Sequence, residues 1–62
     1  ISILNIETNY EVKQAIVYSI LGAEILRTQQ RTIDISGLAQ GIFLIKVEDI
    51  YGNRFTKKFI KK

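Results

Sequence analysis

The feature that most constrains the fold is an alternating run near the carboxyl end of the chain, followed by a turn. In an extended segment, Phe43, Ile45 and Val47 lie on one face, and the residues between them lie on the other. Gly52, flanked by Tyr and Asn, marks a turn, and a second run rich in β-branched and aromatic residues follows it. The sequence therefore predicts a β-hairpin over residues 42–60.

Residues 12–27 have a less decisive pattern. Their apolar side chains keep a helical spacing, whereas the central Ile-Val-Tyr is β-branched and aromatic and favours a strand. Gly22 inside a helix would cost about 1 kcal/mol relative to Ala, but in a hairpin turn it adopts a positive φ without penalty. We therefore predict two strands joined at Gly22, with shorter strands within residues 1–6 and 32–35.

The composition restricts what can stabilise this fold. The 62 residues suffice for one small domain and include neither Cys nor His, which excludes a disulfide framework and an ordinary zinc site. No apolar run approaches the roughly 18 residues of a membrane span. The chain also lacks a Gly-rich phosphate loop and a cluster of carboxylates. We therefore expect a non-enzymatic domain with no cofactor, no metal ion and no transmembrane segment.

Three carboxylates stand out by their positions. Asp34 lies between two isoleucines and two positions before Ser36, where it suits a metal ligand, a general base or a cap on the following turn. No second carboxylate lies nearby in the sequence to share a cation, so we predict that Asp34 accepts backbone N–H hydrogen bonds. Glu48 and Asp49 lack the repeated oxygen ligands of a calcium loop, and we predict that both are solvated turn charges.

The net charge is +3, and four of the nine basic residues lie in the last six positions: Lys57, Lys58, Lys61 and Lys62. Such a basic end either attracts an acidic partner or solvates the end of the chain. Five aromatic residues offer either stacking surfaces for nucleobases or packing within a sheet: Tyr18, Phe43, Tyr51, Phe55 and Phe59. We favour packing and expect no nucleic-acid partner.

Residues 13–62 contain three motifs in a fixed order. The first is Ile-Val-Tyr-Ser-Ile-Leu-Gly-Ala-Glu-Ile-Leu around Gly22, and the second is Ile-Asp-Ile-Ser-Gly-Leu-Ala-Gln-Gly-Ile-Phe over residues 33–43. The third is the basic run Phe-Thr-Lys-Lys-Phe-Ile-Lys-Lys over residues 55–62. Together they resemble the carboxy-terminal sorting domain of the type IX secretion system, and the second motif is the most specific of the three.

Four features of the chain match the pattern of the family. They are two turn glycines, a strand followed directly by a turn, a glycine two positions before an aromatic residue, and a basic strand. The matching residues are Gly22, Ile33, Asp34, Ser36, Leu38, Gly41, Phe43, Gly52, Lys57, Lys58, Lys61 and Lys62. At Phe43 the family has Tyr more often. The family also usually opens with a Pro-Asn-Pro segment, and this chain contains no Pro. We therefore expect a single sorting domain over residues 1–62 that lacks the family's first strand.

The resemblance implies an all-β fold, an immunoglobulin-like β-sandwich of short antiparallel strands. It further implies a non-catalytic secretion signal, which directs an upstream cargo protein through the periplasm and across the outer membrane to the cell surface or the medium. The implied partners are the fused cargo, the outer-membrane shuttle of the secretion machinery and a sortase-like peptidase that removes the domain.

Two functions of other classes stay open at this point. A small basic nucleic-acid-binding β-domain would bind oligonucleotides tightly and with a strong dependence on salt. An immunoglobulin-like or fibronectin-like module of a surface adhesin or enzyme would share the fold without the sorting role. The order of the three motifs favours the secretion signal.

Overall fold

The computed structural model describes residues 3–8 and 10–62, which form six β-strands and no helix. The strands are β1 (Ile3–Asn5), β2 (Val12–Ser19), β3 (Glu24–Thr28), β4 (Thr32–Asp34), β5 (Gly41–Asp49) and β6 (Arg54–Lys61). The predicted all-β class, the strand pair around Gly22 and the carboxyl-terminal hairpin are confirmed. Of the strand predicted within residues 1–6, Ile1 and Ser2 lie outside the described residues.

Four strands form one antiparallel sheet in the order β3-β2-β5-β6. Each outer strand is joined to its inner neighbour by a hairpin turn, and the two hairpins pair through β2 and β5. In that central pair, Val17 lies opposite Ile45 and Ala15 lies opposite Val47. The long apolar strands therefore occupy the middle of the sheet, and β3 and β6 form its edges.

The remaining strands, β1 and β4, form a separate two-stranded antiparallel sheet in which Leu4 lies opposite Ile33. Side chains from both sheets share one core. The buried members of this core are Ile6, Val12, Ala15, Val17, Ile33, Ile35, Phe43, Ile45 and Val47. The two sheets thus form the predicted small β-sandwich, and the predicted inward face of β5 is confirmed.

Both hairpins of the larger sheet turn at a glycine with a positive φ. Gly22 has a φ of 93°, and its N–H donates to the carbonyl oxygen of Ser19 at 2.9 Å. Gly52 has a φ of 84°, and its N–H donates to the carbonyl oxygen of Asp49 at 3.1 Å. Residues with a Cβ rarely adopt such angles, which explains why glycine occupies these two positions.

The aromatic residues divide between the core and the surface. Phe43 is buried and stacks on Phe59, which confirms the packing prediction for these two rings. Phe55 lies opposite Val47 in the sheet, but it is 37% exposed. Tyr51 is 69% exposed at the β5–β6 turn, where its ring makes an edge-on contact with Tyr10. The core prediction therefore does not extend to Tyr51.

Candidate recognition surface

Strand β4 and the turn that leads from it to β5 carry four of the predicted motif residues. Ile33 is buried just before the turn, and the Asp34 carboxylate accepts a hydrogen bond from the backbone N–H of Ser36 at 2.9 Å. The N–H of Leu38 donates to the carbonyl oxygen of Ile35 at 3.0 Å, and the Leu38 side chain packs against the core. Local hydrogen bonds and one apolar anchor thus hold the turn, and the predicted capping role of Asp34 is confirmed.

The electrostatics of Asp34 agree with this capping role. The hydroxyl and the backbone N–H of Ser36 hold the pKa of the Asp34 carboxyl below its ordinary value of 3.8. Hydrogen bonds to the charged form lower the pKa of a carboxyl in this way. A general base works best with a pKa near the operating pH, so a lowered pKa fits a turn cap better than a catalytic group.

The carboxyl end of β6 lies against the same turn. The Nζ atom of Lys61 donates a hydrogen bond to the carbonyl oxygen of Leu38 at 3.2 Å. Lys61 also lies opposite Gly41 in the β5–β6 ladder, and Phe43 lies opposite Phe59 two positions further along. We call Leu38, Gly41, Phe43, Phe59 and Lys61 the motif corner. It brings together residues of the second and third motifs that are distant in the sequence.

The four lysines of the basic motif do not form a single patch. Lys57 lies on the same face of the sheet as the buried Ile45, whereas Lys58 lies on the opposite, outer face. Lys61 is half-buried at the motif corner, and Lys62 is exposed after the end of β6. The basic charge is therefore distributed around β6, with one lysine fixed by a backbone carbonyl.

The two turn glycines lie at opposite ends of the larger sheet. Ser19, next to the Gly22 turn, lies opposite Phe43 of the motif corner. Val12, at the other end of β2, lies opposite Asp49, which precedes the Gly52 turn. The structure therefore places the Gly22 turn and the motif corner at one end of the sandwich and leaves Gly52 at the other end.

Asp49 is buried, which corrects the prediction that Glu48 and Asp49 are both solvated turn charges. Its side chain is 4% exposed, and it accepts three hydrogen bonds of 2.9 Å, from the backbone N–H groups of Tyr51 and Asn53 and from the Asn53 side-chain amide. Burial raises the pKa of Asp49, but these hydrogen bonds outweigh it and hold the pKa below 3.8. An Asp placed before a Gly-Asn turn is the signal that identifies such a cap.

The remaining chemistry of the surface is sparse. Within residues 3–8 and 10–62, no group of three His, Cys, Asp or Glu side chains is arranged to hold a metal ion. The same part of the chain has no helix with the length and apolar character that crossing a membrane requires.

Comparison with known proteins identifies the family. No curated protein and no solved structure matches the chain. A family model described as a secretion system C-terminal sorting domain matches residues 1–62, the full length of the sequence. The match includes the Gly22 segment, the β4–β5 turn and the basic strand β6, the three motifs on which the predicted resemblance rests. The chain therefore belongs to the family of C-terminal sorting domains of the type IX secretion system.

Proposed function

We propose that this domain is a non-catalytic address, read in its folded form by the secretion machinery of the outer membrane. The machinery then moves the fused upstream cargo to the cell surface or the medium, and a sortase-like peptidase removes the domain. The family match over residues 1–62 carries the proposal, since membership in this family implies an upstream cargo and export across the outer membrane.

The burial of the motif residues supports recognition of the folded form. Ile33 and Phe43 are buried in the core, so a partner cannot contact them without unfolding the domain. Their role is to position the turn and the two long strands. The exposed lysines Lys57, Lys58 and Lys62 are available to contact a partner directly. We therefore propose that the buried motif residues maintain the shape of the domain and that the exposed ones contact the partner directly.

A fusion experiment tests this division. A reporter protein is joined upstream of the chain in a cell that runs type IX secretion, and the fraction outside the cell is measured. The double substitution Lys57→Gln and Lys58→Gln removes two exposed charges, and each surface change alters stability by only about 0.5 kcal/mol. We expect the folded variant to lose most of its export. The matched control, Lys13→Gln with Lys46→Gln, removes two exposed charges from β2 and β5 and should export normally.

Truncation after Thr56 tests the need for the fold. It removes Phe59 and Lys61, and with them two of the five residues of the motif corner. The truncated fusion should stay inside the cell and be degraded. Mass spectrometry of the exported full-length fusion tests whether a peptidase removes the domain. If it does, the exported product should lack the 62 residues. Normal export of the truncated fusion would show that the folded domain is not the address.

A further inference from the structure

The two edges of the larger sheet differ in their openness to another strand. β3 has five residues, its pairing with β2 shifts register between Val17 and Tyr18, and its Glu24 and Arg27 form an internal salt bridge of 2.9 Å. β6 has eight residues and pairs with β5 in one continuous register. Short, bulged edges resist strand addition, whereas long, regular edges accept it. β6 is therefore the edge that is open to a partner.

The backbone of β6 has groups directed away from β5. The N–H of Asp49 donates to the carbonyl oxygen of Asn53 at 3.0 Å, which fixes the alternation of the antiparallel ladder. By that alternation, the N–H and C=O groups of Thr56, Lys58 and Ile60 point toward the open edge. In the described part of the chain no strand pairs with this edge. An added strand would thus find a row of backbone donors and acceptors.

A groove of about 530 Å³ lies beside this edge, between β6 and the segment around β1. Its apolar walls are formed by Leu4, Ile6, Ile45, Val47, Phe55 and Phe59. Lys57 and Lys58 also line the groove, and Glu7 is the acidic residue among its lining side chains. The two-stranded sheet therefore leaves the inward side of β6 uncovered, with apolar surface and Lys57 facing the groove and Lys58 at its rim.

The charge of β6 indicates what fits there. Its sequence, Arg-Phe-Thr-Lys-Lys-Phe-Ile-Lys, has four basic residues and no acidic one. Of these, the Nε atom of Arg54 lies 3.7 Å from a carboxylate oxygen of Glu48, and Lys61 donates a hydrogen bond to the carbonyl oxygen of Leu38. Lys57 and Lys58, at the centre of the strand, are the basic residues that remain for a partner. Acidic side chains directly opposite these two lysines would form favourable cross-strand pairs.

We propose that the β6 edge and its groove bind an extended peptide strand with acidic residues opposite Lys57 and Lys58 and apolar residues opposite Phe55 and Phe59. The partner adds a fifth strand to the sheet and fills the groove with its apolar side chains. This inference rests on the proposed function in one respect, since it places the added strand in a protein of the secretion machinery.

A second copy of the chain fits this edge poorly. Because β6 has four basic residues and no acidic one, pairing two β6 strands brings basic side chains close together and offers them no acidic partner. A single-stranded nucleic acid would match the charge, but proteins that bind single strands also offer exposed aromatic rings on which the bases stack. The Phe59 ring is already stacked on Phe43, with centroids 5.6 Å apart. An acidic and apolar peptide therefore suits the surface better than either alternative.

Peptide titration against the 62-residue chain tests the proposal. The probe is the capped, fluorescent peptide Thr-Val-Thr-Glu-Glu-Val-Val-Thr, used together with its reversed sequence to cover both strand directions. We expect one of the two to bind with a Kd below about 0.1 mM, and the version with Lys in place of both Glu to bind at least about tenfold more weakly. Backbone amide shifts of β6 on binding, measured by NMR, locate the site.

Two pairs of variants separate edge binding from adventitious attraction. Thr56→Pro removes an outward N–H without removing a β5–β6 hydrogen bond, and proline is tolerated on edge strands. It should weaken binding by at least about tenfold, while Thr56→Val should not. Lys57→Glu should weaken binding to a similar extent, whereas Lys13→Glu on β2 should leave it unchanged. If Thr56→Pro fails to fold, the comparison of Lys57→Glu with Lys13→Glu still decides the outcome.

Failure of both peptides to bind would overturn the proposal. So would undiminished binding by Lys57→Glu or by a folded Thr56→Pro, or tighter binding of a single-stranded DNA of equal charge. Self-association of the chain through β6 without affinity for either peptide would overturn it as well. The titration involves no secretion, so its failure leaves the address function standing. Failure of the wild-type fusion to leave the cell, with peptide binding intact, would instead count against the address function.

Discussion

The rings of Phe43 and Phe59 stack with their centroids 5.6 Å apart and their planes inclined by 23°. Phe43 ends the second sequence motif near the start of β5, and Phe59 belongs to the basic strand β6. Beside this stack, Lys61 donates a hydrogen bond to the carbonyl oxygen of Leu38 in the β4–β5 turn. The stack and the hydrogen bond therefore fix β6 against the β4–β5 turn and the start of β5, which belong to the second sequence motif.

Removing the Phe43 ring should strongly destabilise the domain. Phe43→Ala deletes a buried ring and leaves a cavity, which costs about 3–5 kcal/mol, comparable with the whole stability of a chain this short. Ile60→Ala, one position from Phe59 on β6, removes a side chain that is 60% exposed and should change stability by no more than about 0.5 kcal/mol. Urea denaturation followed by circular dichroism measures both. A cooperative, wild-type-like transition for Phe43→Ala would show that the Phe43 ring is not an essential part of the core.

The Lys61 hydrogen bond should contribute measurably to stability. Lys61→Met keeps an unbranched apolar side chain but leaves the Leu38 carbonyl without this donor, which should cost about 0.5–1.5 kcal/mol. Lys62→Met changes the exposed neighbour and should have an effect within about 0.5 kcal/mol. The two free energies of unfolding, measured side by side, separate a specific contact from a general effect of charge. Equal values would show that the hydrogen bond between Lys61 and Leu38 does not stabilise the folded domain.

The Gly22 turn should tolerate no side chain without strain. Gly22→Ala places a Cβ on a residue with a φ of 93°, at a cost of about 1–2 kcal/mol. Gly37 has no positive φ in this range, and a Cβ there would meet no atom within 4 Å. Gly37→Ala should therefore leave stability unchanged or raise it by up to about 1 kcal/mol through the unfolded state. Thermal unfolding of the two variants tests this contrast, and equal destabilisation would contradict it.

Much of the fold follows from short-range patterns. Gly22 and Gly52 mark both hairpins because a positive φ is nearly specific to glycine, and the alternation through Phe43, Ile45 and Val47 shows which face of β5 is buried. The pairing of β1 with β4 is not visible in this way, since each strand has three residues and the contact joins distant segments.

The candidate site was predictable only in part. Asp34 caps its turn as its position before Ser36 indicates. Asp49 looked like a surface charge beside a turn, because its burial depends on three donors that only the folded turn assembles. The groove beside β6 depends on how far the small sheet extends over the large one, and no local pattern encodes that distance.

Acid should destabilise the domain through Asp49. Its pKa in the folded state lies below the ordinary value of 3.8, so the unfolded chain binds more protons between the two values. Stability from this group is present above pH 3.8 and is lost as the pH falls through the folded-state pKa. The melting temperature should therefore decline below about pH 4. Asp34, with a pKa lowered by Ser36, acts in the same direction.

Asp49→Asn isolates the contribution of this carboxylate. The variant keeps one oxygen acceptor but cannot ionise, so its melting temperature should be lower at neutral pH and should depend less on pH below 4. A ¹³C NMR titration of the wild-type side chain gives the pKa directly, and we expect a value under 3.8. Titration of the Asp49 carboxyl at or above its ordinary value would show that the hydrogen bonds do not outweigh the burial.

Transplantation of the chain to an unrelated protein tests whether this domain is the export address. A periplasmic reporter that normally stays inside the cell receives the chain at its carboxyl end, in a host that runs type IX secretion. A parallel fusion receives an unrelated folded β-domain of similar size. We predict that the reporter reaches the surface or the medium only with the sorting domain, and that export stops when the secretion channel is inactivated. Equal export of both fusions, or retention of a folded sorting-domain fusion, would show that this domain is not the export address.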